Sequence, residues 1–97
     1  MQYKIVWLVA ALRELEDIKS YIEQDNAAAA RNLVDQILIR VGLLAEMLGI
    51  GSLDGEILEL RYTVVKPNYS VYYRVEEKSQ TIFIAHVWHN KRDKKVF

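Results

Sequence analysis

Residues 56–97 read EILELRYTVV, KPN, YSVYYRVE, EKSQ, TIFIAHVWH and NKRDKKVF. Their reading decides the fold. Each apolar run is short, rich in Val, Ile and Tyr, and bounded by turn-forming residues, the pattern of strands joined by tight connections. The stretch therefore predicts a three-stranded antiparallel meander followed by a basic tail. In its first strand Leu58, Leu60, Tyr62 and Val64 share one face and Glu59, Arg61 and Thr63 the other, because side chains alternate with period two. One face goes to the core and the other can meet a partner. Lys66-Pro67-Asn68 supplies a fixed φ and a turn-tolerant Asn, and Lys78-Ser79-Gln80 is a polar break of similar length, so both connections read as hairpin loops. In the last strand Ile82 and Ile84 share a parity, whereas Val87 falls on the other one with Phe83 and Ala85. That pattern calls for a bulge near Ala85 or a strand buried on both faces.

Working outward, Tyr3 to Leu8 (YKIVWL) is a β-prone run whose Ile5 and Trp7 share a face, a first strand of the same sheet with Trp7 in the core. From Val9 to Gln24 the period becomes helical: Ala11, Leu15, Ile18 and Ile22 form the apolar stripe, with Tyr21 beside them, and Arg13, Glu14, Glu16, Asp17 and Lys19 fill other positions. Asp25-Asn26 suits a turn and a cap for the next helix. Ala27 to Leu48 reads as that second, longer helix, with a stripe of Ala30, Leu33, Val34, Ile37, Val41, Leu44 and Leu48, widened by Leu38, Ile39 and Leu43. That is more apolar surface than one helix face needs. Either this helix is packed on two sides, or one of its edges meets another chain. Gly49 suits the position after the helix, and IGSLDG at 50–55 reads as a flexible loop. The expected fold is α+β, one domain over residues 1–97: a helical hairpin packed on a largely antiparallel four-stranded sheet in the order β-α-α-β-β-β, with the other sheet face partly open.

Composition narrows the function classes. Ninety-seven residues, 52% of them hydrophobic, support one modest core. The absence of cysteine excludes a disulfide framework and a thiolate zinc site, and two histidines make a poor metal site, so neither metal nor cofactor is expected. The apolar stretch from Ile5 to Leu12 is too short to span a bilayer and is soon followed by acids rather than a small-residue cleavage site. The expectation is a cytoplasmic protein with no membrane partner. Net charge is zero, but up to Leu60 there are five Lys and Arg against ten Asp and Glu, and from Arg61 onward eight against three. The meander carries the positive pole, which can steer an acidic partner to one surface.

The element order, the pattern Ala11, Glu14, Leu15, Ile18, Tyr21, Ile22, the segment Asn26 to Leu33, Glu59-Leu60-Arg61, the strand Tyr69, Val71, Tyr73, Arg74, and the ending Val87-Trp88-His89 with Arg92-Asp93 together resemble the RelE/ParE superfamily of type II toxin-antitoxin toxins. The resemblance covers nearly the whole chain and implies a small toxin neutralised by an antitoxin, as a hetero-oligomer with it. It also implies one of two actions. RelE-like members cleave mRNA on the ribosome without metal, which needs a proton acceptor for the 2′-hydroxyl and cations for the phosphate. His89, Arg92 and Arg61 are then the catalytic candidates, with Lys91, Lys94 and Arg74 as further cations. ParE-like members inhibit DNA gyrase and are not enzymes; Trp88, His89, Lys91, Arg92, Lys94, Lys95, Phe97 and Arg74 then form the target-binding surface, of residue types that dominate protein contacts.

The ending V-W-H-x-x-R-D resembles the ParE branch more closely, and a neutral protein suits mRNA binding poorly. Phe97 stands where many RelE-like relatives carry a tyrosine, and Leu48, Gly51, Ser52 and Ser70 depart from residues common in the family, two of them positive charges. Gyrase is accordingly the favoured target and the ribosome with its mRNA the alternative; a non-toxic interaction module is a third reading. Leu38, Ile39 and Leu43 are the expected antitoxin contacts. Structural explanations compete at several positions. His86 and His89 have opposite parity and do not form a ligand pair, and Arg61 and Arg74 can each pair with Glu59, Glu76 or Glu77 across the sheet.

Overall fold

The computed structural model describes residues 3–46, 52–53, 60–65 and 68–90. Strand β1 (Lys4–Trp7) leads into helices α1 (Val9–Glu23) and α2 (Ala27–Glu46), followed by β2 (Ser52–Leu53), β3 (Arg61–Val65), β4 (Tyr69–Glu76) and β5 (Thr81–His89). The sheet order is β1-β5-β4-β3-β2. The three meander strands pair antiparallel as the sequence indicates, and β1 lies parallel to β5. Parallel pairing requires a long crossover, and the two helices supply it. The two-residue β2, inside the stretch read as a flexible loop, adds a fifth strand at the β3 edge.

Both helices cover one sheet face. Ala11 and Ile18 of α1 and Ile37, Val41 and Leu44 of α2 are buried against Val65, Val71, Tyr73, Ile82, Ile84 and Val87, with Ile5 and Trp7 packed at the margin. The start of α2 is fixed by Asn26, whose Oδ1 accepts the Ala29 N–H at 3.0 Å. This satisfies one of the orphan donors of the first turn, as the Asp25-Asn26 pair suggests. Tyr21, expected beside the apolar stripe of α1, is 74% exposed. The register of β4 against β5 shifts between Tyr72 and Tyr73: His86 faces Tyr72 and Ile84 faces Tyr73, leaving Ala85 as the extra residue. The bulge rotates Val87 onto the face of Ile82 and Ile84, which is why its sequence parity is wrong and its burial is right.

On β3 the core side is the more polar one. Thr63 and Val65 face the helices and are buried, while Leu60 and Tyr62 lie on the opposite face with Tyr72, Ala85 and Trp88 in a second, smaller cluster. Both sheet faces therefore carry buried side chains, although Arg74, Glu76 and Val64 keep the outer face open in part. The turn at Glu77–Gln80 ends with Gln80 at φ 51°, the left-handed region that costs a non-glycine residue about 1 kcal/mol.

Candidate functional site

The C-terminal end of β5 is the best-anchored part of the expected site. Tyr69 and His89 are paired across β4 and β5, their rings 4.8 Å apart and edge to face at 82°. One residue on, Asn90 donates its backbone N–H to the Asn68 carbonyl at 2.6 Å, and its Oδ1 accepts the Ser70 hydroxyl at 2.7 Å. These bonds tie the residue after β5 to the start of β4. Lys91, Arg92, Lys94, Lys95 and Phe97 lie outside the described residues. Trp88, expected on the contact surface, is 7% exposed and packs with Leu60, Tyr72 and Ala85. Its indole is core of the outer face, because the bulge leaves it on the side of Tyr72.

On the opposite edge of β5, α1 reaches the strand through Glu14. Its Oε1 accepts the Val87 N–H at 3.0 Å, and both carboxylate oxygens lie 3.1 Å from His86 Nδ1. In the sequence Glu14 stands among the six charges of α1 and in the pattern that carries the family resemblance, but nothing in its spacing points to His86, 72 residues away.

Arg61 belongs to a different neighbourhood. It shares the helix-facing side of β3 with Thr63, whose hydroxyl accepts a bond from Arg40 Nε of α2 at 2.8 Å. Its register partner is Tyr73, a fully buried residue whose hydroxyl has no hydrogen-bond partner among the described residues. Burial pushes the Tyr73 phenol above its usual 10.0, and the nearby Arg61 charge offsets part of that shift. The Tyr3 phenol is raised first by donating to the Glu77 carboxylate, and the same Arg61 charge lowers it in part. Arg61 therefore acts among the tyrosines beneath α2. From the register, Arg61 and His89 are separated by four residues along β4 and by two strand spacings, about 13 Å by about 10 Å. The structure does not bring these two together. Arg74 lies exposed on the outer face, opposite to Arg61.

The third candidate surface is on α2. Leu38, Ile39 and Leu43 are 48%, 58% and 36% exposed, so the edge of this helix is open, and Val9 and Leu12 of α1 add exposed apolar surface at 63% and 49%. Single exposed apolar side chains are ordinary; here three lie on one helix beside a full core stripe.

Residues 5–94 match the family described as the ParE toxin of the type II toxin-antitoxin system parDE. The chain belongs to this family. The ParE-family chain is also 33% identical over 84 residues to Y4kP of Sinorhizobium fredii, a candidate toxin, with 86% of each protein covered. Three solved structures share the fold. The chromosomal ParDE system of P. aeruginosa matches with a TM-score of 0.77 at 19% identity, covering 91% of this chain and 96% of that one. The RelBE2 toxin-antitoxin complex of Mycobacterium tuberculosis gives 0.65 at 22% identity, covering 92% of both. A YoeB/ParE toxin of Agrobacterium tumefaciens gives 0.58 at 21% identity, covering 89% and 96%. This is a type II toxin of the ParE/RelE superfamily. Among its described residues no helix is long and apolar enough to cross a membrane, and no group of three or more His, Cys, Asp or Glu could hold a metal ion.

Proposed function

We propose that this ParE-family toxin acts on DNA gyrase through the C-terminal end of β5 and the segment after it, without cleaving RNA, and that an antitoxin segment lying over the exposed edge of α2 neutralises it. The observation that carries the choice of target is the separation of Arg61 from His89. Metal-free cleavage needs a proton acceptor and a cation on one phosphate, within hydrogen-bond reach of adjacent oxygens. The backbones of Arg61 and His89 are offset by about 13 Å along the sheet and about 10 Å across it, so the register does not set this cation and this base side by side. A contact surface has no such requirement. His89, edge-on to Tyr69 and followed by an anchored Asn90, presents a fixed platform from which a basic segment departs.

The antitoxin reading is supported by the exposed Leu38, Ile39 and Leu43 and by the toxin-antitoxin complexes among the structures of the same fold. Extended or helical segments that fold on binding use such an apolar edge for affinity.

The deciding experiment induces the toxin without a partner and follows labelled thymidine and labelled leucine incorporation, together with supercoiling by purified gyrase. Early loss of thymidine incorporation, continued translation and inhibited supercoiling are expected. Collapse of leucine incorporation first, with supercoiling intact, would replace gyrase by the ribosome and its mRNA.

A further inference from the structure

We infer that Glu14 is a positioning residue for the C-terminal contact surface, holding the end of β5 on the edge where no neighbouring strand among the described residues reaches. Strand β1 pairs with β5 only as far as Trp7 and Ile84, and the chain then turns away into α1 with the Leu8 N–H on the Ile84 carbonyl at 2.9 Å. From Ala85 onward β5 has lost that partner on this edge. The loss coincides with the bulge, where the ladder to β4 on the other edge is also interrupted. The strand is thus weakest immediately before Val87, Trp88 and His89. An unpaired edge N–H here costs free energy if it is sheltered from water and invites a foreign strand if it is not.

Glu14 answers both problems with one carboxylate. Oε1 takes the Val87 N–H at 3.0 Å, in the place a strand carbonyl would occupy, while both oxygens hold His86 Nδ1 at 3.1 Å. The two side chains are 24% and 19% exposed, sheltered enough for a charge-assisted bond to count for more than a surface pair. Because a carboxylate only accepts, His86 Nδ1 is the donor in this contact. From the β4 side, the Ser70 and Asn68 bonds to Asn90 hold the far end of the same segment. Glu14 and Asn90 together clamp residues 85–90, the stretch that delivers His89 and launches the basic tail.

The functional half of this inference rests on the target reading above; the structural half does not. The test measures amide exchange at Val87, the imidazole nitrogen shifts of His86, and inhibition of gyrase supercoiling in the full chain. For Glu14→Ala, Val87 exchange accelerates about tenfold, the size of one lost hydrogen bond, and inhibition falls by a similar factor. His86 also loses its preference for the Nδ1–H tautomer. Glu14→Gln, whose amide oxygen can still accept from Val87, recovers most of the exchange protection and most of the inhibition. Should Glu14→Ala not fold, Glu14→Asp keeps the charge but shortens the reach by one methylene, and the same changes occur in smaller degree. Unchanged Val87 exchange overturns the inference, and so does accelerated exchange with full inhibition, which would make Glu14 merely structural. If the wild-type chain leaves gyrase untouched, the target reading fails. The same variants are then compared on whichever synthesis the toxin stops in cells, and parallel losses there uphold the positioning role.

Discussion

The two helices of the hairpin are joined to the same sheet and yet finish differently. In α1 the stripe of Ala11, Leu15, Ile18 and Ile22 goes inward, and one charged side chain, Glu14, reaches past the core to grip the edge of β5. In α2 the inward stripe is equally complete, with Ile37 and Leu44 fully buried, but the outward positions Leu38, Ile39 and Leu43 remain apolar and open. One helix uses a polar contact inside its own chain. The other leaves apolar surface that no described part of the chain covers. Exposed apolar surface of this kind on a domain whose core is filled is the type that partners commonly cover.

The sharpest way to break this contrast is to truncate neighbouring residues of α2. Ile37→Ala should cost about 2–5 kcal/mol of unfolding free energy, the penalty of a cavity in a filled core, whereas Ile39→Ala should stay within about 0.5 kcal/mol. Chemical denaturation of the isolated toxin reads both, and equal losses would place Ile39 in the core. Next in size, the double change Leu38→Asp with Ile39→Asp should weaken antitoxin binding about a hundredfold, from loss of about 1.5 kcal/mol at each of the two half-exposed side chains, with little change in the free toxin. Unchanged affinity in titration calorimetry moves the groove elsewhere.

A smaller effect tests how α2 is set. Asn26→Ala removes the side-chain acceptor of the Ala29 N–H and should cost about 1 kcal/mol, seen as a lower Tm. No loss would mean that the cap contributes nothing to the hairpin. Smallest is Tyr73→Phe, which deletes a buried hydroxyl with no partner among the described residues and should be neutral or stabilising by about 1 kcal/mol. Its pH dependence has a definite sign. Because burial raises the folded-state pKa of Tyr73 above 10.0, the phenol's contribution is fully present below 10.0 and is lost as pH rises through the folded value. Alkaline unfolding of Tyr73→Phe should therefore be shallower than that of the wild type, and identical alkaline curves would show that Tyr73 does not titrate with unfolding.

Much of the architecture is legible in local pattern. Val9–Glu23 and Ala27–Glu46 fall within about two residues of the periodicity that marks them, since helical spacing and the Asn26 cap are local signals. The odd parity of Val87 narrows β5 to a bulge near Ala85 or burial on both faces, and the strand register supplies the bulge. Other features have no local signature. Leu60 and Tyr62 look like the core face of β3 because they are apolar, yet Thr63 and Val65 face the helices, and Arg40 makes that possible by satisfying the Thr63 hydroxyl from α2. Trp88 looks like a contact residue because it stands beside a basic tail; the sheet packs it among Leu60, Tyr72 and Ala85 instead.

Taken alone, the sequence determined the helices, the meander and the surplus apolar residues of α2, because each is written in spacings of a few residues. Only the tertiary structure decided that β1 runs parallel beside β5, that Arg61 lies beneath α2 away from His89, and that Glu14 meets His86 and Val87. The physical reason is that these depend on which strand edges and helix faces come together across more than seventy residues, as for Glu14 and His86 at a separation of 72. Hydrophobic periodicity tells each segment which side to bury, and it carries no address for the partner that will bury it.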